Sequence, residues 1–313
     1  MRIHPCMVTL IALAVSNCRQ AATGPVTGQP SEPDAADHSS PAAPVMGDAG
    51  VVPDAEAFAA HTAKLRRILK DEYHVVIEPP FVVIGNESAE MVEARSIRTV
   101  RWAVERLRRE FFDQDPNEIL DIWLFRDKET YESETRRLLK QEPRTPFGYY
   151  SPSARALIMN ISTGGGTLVH EIVHPFVRAN FPKCPAWFNE GLGSLYEQCE
   201  DREGRIHGLT NWRLAGLQSA IRSGGVPLFD AFTALSDQQF YEADPGTHYS
   251  QARYLCYYLQ QQDLLQTYYR QFVASHADDP SGYATLVKVL NEDDMASFHR
   301  RWQEFVLGLR FDG

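Results

Sequence analysis

Two histidines four residues apart enclose a glutamate in the segment Leu168-Val169-His170-Glu171-Ile172-Val173-His174. On an α-helix this spacing places both imidazoles on one face. Two imidazoles so placed bind one Zn²⁺ ion, and Glu171 between them is positioned to act as general base toward a water activated at the metal. The bland reading is a buried helix with two hydrogen-bonded histidines. A catalytic zinc wants three protein ligands and an open position, so a carboxylate on a second helix would decide between the two. The run Ala186-Trp187-Phe188-Asn189-Glu190-Gly191-Leu192-Gly193 follows within reach of His174.

H-E-x-x-H followed by W-F-N-E-G resembles the gluzincin metallopeptidases, especially the aminopeptidase N and leukotriene-hydrolase branch and related peptidase-MA-like proteins. The resemblance covers roughly residues 145 to 262. It implies Glu190 as the third metal ligand, Glu171 as the base and a strand near Tyr149 lining a substrate cleft. In the same relatives a tyrosine well downstream of the third ligand hydrogen-bonds the oxyanion. Tyr249 stands in a similar place, with His248 as the rival donor. The spacer from His174 to Glu190 is shorter than in the aminopeptidases, and the G-x-M-E-N segment that holds a substrate amino terminus there is absent. An endopeptidase is therefore expected over an aminopeptidase. Two other residues matter to a metal site. Glu197 lies two helical turns beyond Glu190 and is placed to orient a ligand histidine through its other ring nitrogen, and Ser194, one turn from Glu190, is the alternative.

The elements that must position these residues are legible as periodicities. Phe58 to Leu69 has helical spacing. His74 to Ile77 and Phe81 to Ile84 read as strands around Pro79-Pro80, and Ser88 caps a long helix reaching Phe111. Ile119 to Phe125 predicts a strand and Lys128 to Leu139 a helix, with further strands at Tyr149-Tyr150 and Ala156 to Ile161. Beyond Thr163 the pattern is almost wholly helical, with helices expected near 165–180, 187–199, 210–222, 249–262, 263–275 and 293–308. Sheet first and helices afterwards indicates an α+β fold: an N-terminal mixed sheet with helices, then a mainly helical lobe, which the gluzincin resemblance implies is zincin-like, with the active-site cleft between them.

The rest of the chain sets limits and suggests a location. With 31 Lys and Arg against 41 Asp and Glu among 313 residues, and no basic block, nucleic acid is excluded as a partner class. Arg2 and the apolar run Met7 to Val15 have the form of a signal peptide, so residues 1–17 are expected to be removed on export to a bacterial cell envelope. Cys18 directly after that run resembles a lipobox cysteine and would become a lipidated membrane anchor. Ordinary cleavage after Ala14-x-Ser16 is the alternative. Residues 18–53 carry no aromatic residue, and six prolines fall between 19 and 53, so this stretch reads as a disordered tether. The catalytic domain is expected over 54–313. Cys184 and Cys199 should lie too far apart along one helix to bridge, while Cys256 with either stays open. The expected activity is zinc-dependent hydrolysis of a peptide or protein substrate. The competing reading is a catalytically inactive envelope binding protein of the same fold.

Overall fold

The computed structural model describes residues 53–311. The signal-like segment, Cys18 and the tether up to residue 52 lie outside the described residues, as do residues 312–313.

Short, near-continuous apolar runs build a five-stranded sheet in the order β1-β2-β3-β5-β4, from β1 (His74–Glu78), β2 (Phe81–Gly85), β3 (Leu120–Phe125), β4 (Gly148–Ser151) and β5 (Ala156–Asn160). β2, β3 and β5 run parallel, and β1 and β4 flank them antiparallel. Val83, Ile122, Leu124, Leu157 and Met159 face one side, and Val82, Ile84, Trp123, Phe125 and Ile158 the other. Both sides are buried, as expected for strands that are apolar at nearly every position. The second side is covered by α1 (Ala55–Arg66) and by α4 (Lys128–Glu134), whose last turn continues as a π-helical stretch, Thr135–Leu139. The first is covered by α2 (Ala89–Arg95), the π-helical stretch Ser96–Arg101 and α3 (Trp102–Glu110), together with the helices that follow the sheet.

Those helices are α5 (Gly166–Asn180), α6 (Ala186–Leu195), α7 (Arg213–Ser223), α8 (Phe229–Thr233), α9 (Asp237–Glu242), α10 (Pro245–Gln261), α11 (Leu265–Ser275), α12 (Tyr283–Leu290) and α13 (Met295–Gly308). The fold is α+β, with the mixed sheet first and the helical part after it. Phe176 of α5, Trp187 and Phe188 of α6, and Tyr268, Tyr269 and Phe272 of α11 belong to a chain of aromatic contacts with Phe111 and Phe112. Among the described residues no helix is long and apolar enough to cross a membrane. Cys184 and Cys256 are free thiols.

Several details differ from the periodicities. The helix expected over 187–199 ends at Leu195, where the chain tightens through Tyr196 N–H to Gly193 O and Glu197 N–H to Ser194 O. A hairpin of β6 (Cys199–Arg202) and β7 (Arg205–Gly208) follows. Its two-residue turn, Glu203-Gly204, has positive φ at both positions, and the glycine is the sequence signal for it. α8, α9 and α12 are five to eight residues long, too short for a helical period to stand out.

α6 packs against α10 so closely that Gly191 has no room for a side chain. A Cβ there would sit 2.9 Å from Cys256 Sγ and 3.0 Å from the Ala252 carbonyl oxygen. Gly191→Ala should therefore destabilise the protein by about 1–3 kcal/mol in equilibrium urea unfolding. Gly308→Ala, whose Cβ would meet nothing within 4 Å, should not. Equal stability of the two variants would show that α6 and α10 can part at no cost.

Candidate metal centre

β5 leads into the site. After Asn160 a short turn, Ile161–Thr163, and Gly164 at φ +111° redirect the chain into α5. The apolar residues Leu168, Ile172 and Val173 bury one face of α5 in the core, which leaves His170, Glu171 and His174 at the boundary with β4 and α6. The helix runs unbroken through Pro175.

α6 then lays Glu190 across the two histidines. Glu190 Oε2 is 3.1 Å from His170 Nε2 and 3.9 Å from His174 Nε2, and ligand atoms of the three residues all lie within 4.8 Å of one another. Ligands about 2.1 Å from a tetrahedral zinc stand about 3.4 Å apart, and the 3.1 and 3.9 Å separations from Glu190 Oε2 bracket that value, so the three residues could hold a metal ion. His170 and Glu190 are buried and His174 nearly so. Gly193 permits the approach, since a Cβ there would come within 3.2 Å of the His170 ring.

The groups behind the ligands favour the same orientation. His174 Nδ1 bonds Asn189 Oδ1 at 3.0 Å, which puts the ring proton on Nδ1 and leaves the Nε2 lone pair for a metal. His170 Nδ1 lies 3.4 Å from Glu197 Oε1, an ion-pair distance without the alignment of a full hydrogen bond. Glu197 is held in turn by Arg213, whose Nε and Nη2 donate at 2.9 and 2.8 Å, and by Asn211 Nδ2 at 2.9 Å. Ser194 is not the orienting group. Its buried hydroxyl has no hydrogen-bond partner among the described residues.

Glu171 faces the sheet. Its Oε2 accepts a 3.0 Å bond from the Tyr150 N–H of edge strand β4 and lies 3.9 Å from His174 Nε2. The strand expected to line a cleft thus touches the site through the Tyr150 backbone, whereas the Tyr149 side chain is buried on the opposite face of the sheet. Arg178 of α5 lies over the Tyr150 ring, its guanidinium 5.2 Å from the centroid, and bonds the phenol.

Tyr249, on α10, packs its ring against Phe240, Tyr241 and the Arg213 guanidinium, the last at 5.2 Å. Burial first, and then the charge of Glu190, push its phenol well above the ordinary value, so it stays protonated and able to donate. The rival, His248, is a core residue whose Nδ1 bonds the Phe240 carbonyl at 2.9 Å while its ring stacks on Phe240. No sequence pattern singles out Tyr241, Asn211 or Arg213. Tyr241 donates its hydroxyl to Glu190 Oε1 at 2.9 Å. A cavity of about 440 Å³ opens between α3, the β6–β7 hairpin and α11, and none of these site residues lines it.

As described, the site holds a proton. Burial works against a charged His170, but the Glu190 and Glu197 carboxylates outweigh it and push the imidazole up to about 10. Arg213 and His170 hold Glu197 well below the usual carboxylate range despite its burial. The folded, metal-free protein therefore keeps a proton on His170 that the unfolded chain loses near 6.5. This stabilisation is complete below pH 6.5 and is lost as pH rises through about 10. The melting temperature of chelator-treated protein should fall across that window, and a metal ion bound by His170 would take the proton's place, so that saturation with metal should flatten the profile. Parallel curves with and without metal would contradict the assignment.

The chain matches no model of a known protein family and no curated protein sequence.

Proposed function

We propose that the chain is a zinc-dependent metallopeptidase of the gluzincin type, cleaving peptide or protein substrates as an endopeptidase. One observation carries the reading: His170 Nε2, His174 Nε2 and Glu190 Oε2 converge with the Glu171 carboxylate beside them, 3.9 Å from His174. A zinc ion held by the first three would polarise the scissile carbonyl and acidify a water. Glu171 takes a proton from the attacking water and delivers it to the amine as the C–N bond breaks. The Tyr150 N–H holds Glu171 Oε2 and so fixes where that carboxylate points. Tyr249, kept protonated by burial, donates to the oxygen on which negative charge develops.

Export follows from the sequence in the same proposal. Residues 1–17 act as a signal peptide, and Cys18 carries the lipid that anchors the mature protein in a cell envelope. The intact mass of membrane-extracted protein checks this, and a retained Met1 or a free Cys18 thiol would count against it.

Metal analysis of the purified protein, paired with an unbiased peptide library, tests the activity. One zinc per chain with internal cleavage is expected. Bound zinc without cleavage would favour an inactive binding protein. Glu171→Gln should keep the zinc and lower kcat by about 10²–10⁴, because an amide cannot accept the proton. Glu190→Ala should lose zinc to a chelator that leaves the wild type loaded, since two imidazoles alone hold the ion poorly. Full occupancy of that variant would move the third ligand elsewhere. Tyr249→Phe should lower kcat by about 10²–10³ with little change in KM. A variant with more than half of wild-type kcat would release Tyr249 from the role.

A further inference from the structure

The two oxygens of Glu190 have different surroundings. Oε2 faces the histidines, 3.1 Å from His170 Nε2 and 3.9 Å from His174 Nε2. Oε1 accepts the Tyr241 hydroxyl at 2.9 Å. A phenol has one proton to give, and here it is directed at Glu190 Oε1. The donor is itself well held. Tyr241 lies on α9, whose start is closed by a reciprocal capping box between Ser236 and Gln239, and its ring is flanked by Phe240 and Tyr249.

A carboxylate can bind a metal through one oxygen or through both. With both engaged it occupies two positions, and fewer remain for water and substrate. We propose that Tyr241 is a positioning residue that holds Glu190 as a one-oxygen ligand, by committing Oε1 to a hydrogen bond and turning Oε2 alone toward His170 and His174. This rests on the metal-site reading above. It adds a function for a side chain that touches no substrate: Tyr241 keeps a coordination position open by withholding a competing oxygen.

Cobalt(II) tests this, because its visible d–d bands are intense in four-coordinate sites and weaken when a fifth ligand enters. Metal-free wild type, Tyr241→Phe and Tyr258→Phe would each be titrated with Co²⁺, and their zinc dissociation constants measured by chelator competition. Tyr258, on α10, packs against Phe298 and Phe305 and controls for the loss of a phenol in general. All three proteins should take up one equivalent. Wild type and Tyr258→Phe should share one spectrum. Tyr241→Phe should lose band intensity, change its zinc dissociation constant, and lose about 10–100-fold in kcat once loaded with zinc. A Tyr241→Phe spectrum and zinc affinity identical to wild type would overturn the role of Tyr241 while leaving the metal site standing. The same spectral change in Tyr258→Phe would also overturn it. Wild type that binds no Co²⁺ would remove the metal site itself, and this proposal with it.

Discussion

Burying Glu190 against His170 at 3.1 Å is the interaction on which the rest of the site depends. An ionised carboxylate taken out of water is costly unless a cation or hydrogen bonds meet it. Here three carboxylates, Glu171, Glu190 and Glu197, are buried around two imidazoles. Glu197 is met by the Arg213 guanidinium and Glu171 by a backbone N–H. Glu190 is met by a neutral phenol and by His170, which carries a positive charge only while it holds a proton. A divalent ion at the same point would supply that charge more effectively, which is the electrostatic reason for reading the cluster as a metal centre.

The scaffold around this contact is correspondingly tight. Gly191 and Gly193 let α6 lie against α10 on one side and the His170 ring on the other. Arg253, fully buried on α10, donates to the carbonyls of Leu195 and Leu209 and so ties the end of α6 to the chain leaving the hairpin. That tie holds the turn carrying Glu197. Arg213, at the start of α7, joins Glu197 to the face of the Tyr249 ring. The proposed ligand side of the site and its proposed donor side thus share one guanidinium.

Much of this was legible because the information is local. The i, i+4 spacing of His170 and His174 needs only a helix, and the strands betray themselves by β-branched runs whose alternate residues fill opposite faces of the sheet. The distance of Glu197 from Glu190 along an expected helix marks it as a candidate. It does face His170, but it does so from a turn, because α6 stops at Leu195. What stayed hidden depends on contacts between distant segments. Tyr241 is 51 residues from Glu190 and sits on a helix of six residues. Arg213 reaches Glu197 only because the β6–β7 hairpin doubles the chain back. The Tyr150 N–H is a backbone group, and no side-chain pattern marks it.

A metal-edge X-ray absorption spectrum of the protein as isolated tests the central claim most directly. The account predicts a zinc edge with two imidazoles and a light-atom shell of nitrogen and oxygen at about 2.0–2.1 Å, without sulfur. A sulfur shell at about 2.3 Å, a single imidazole, or no bound transition metal would contradict it.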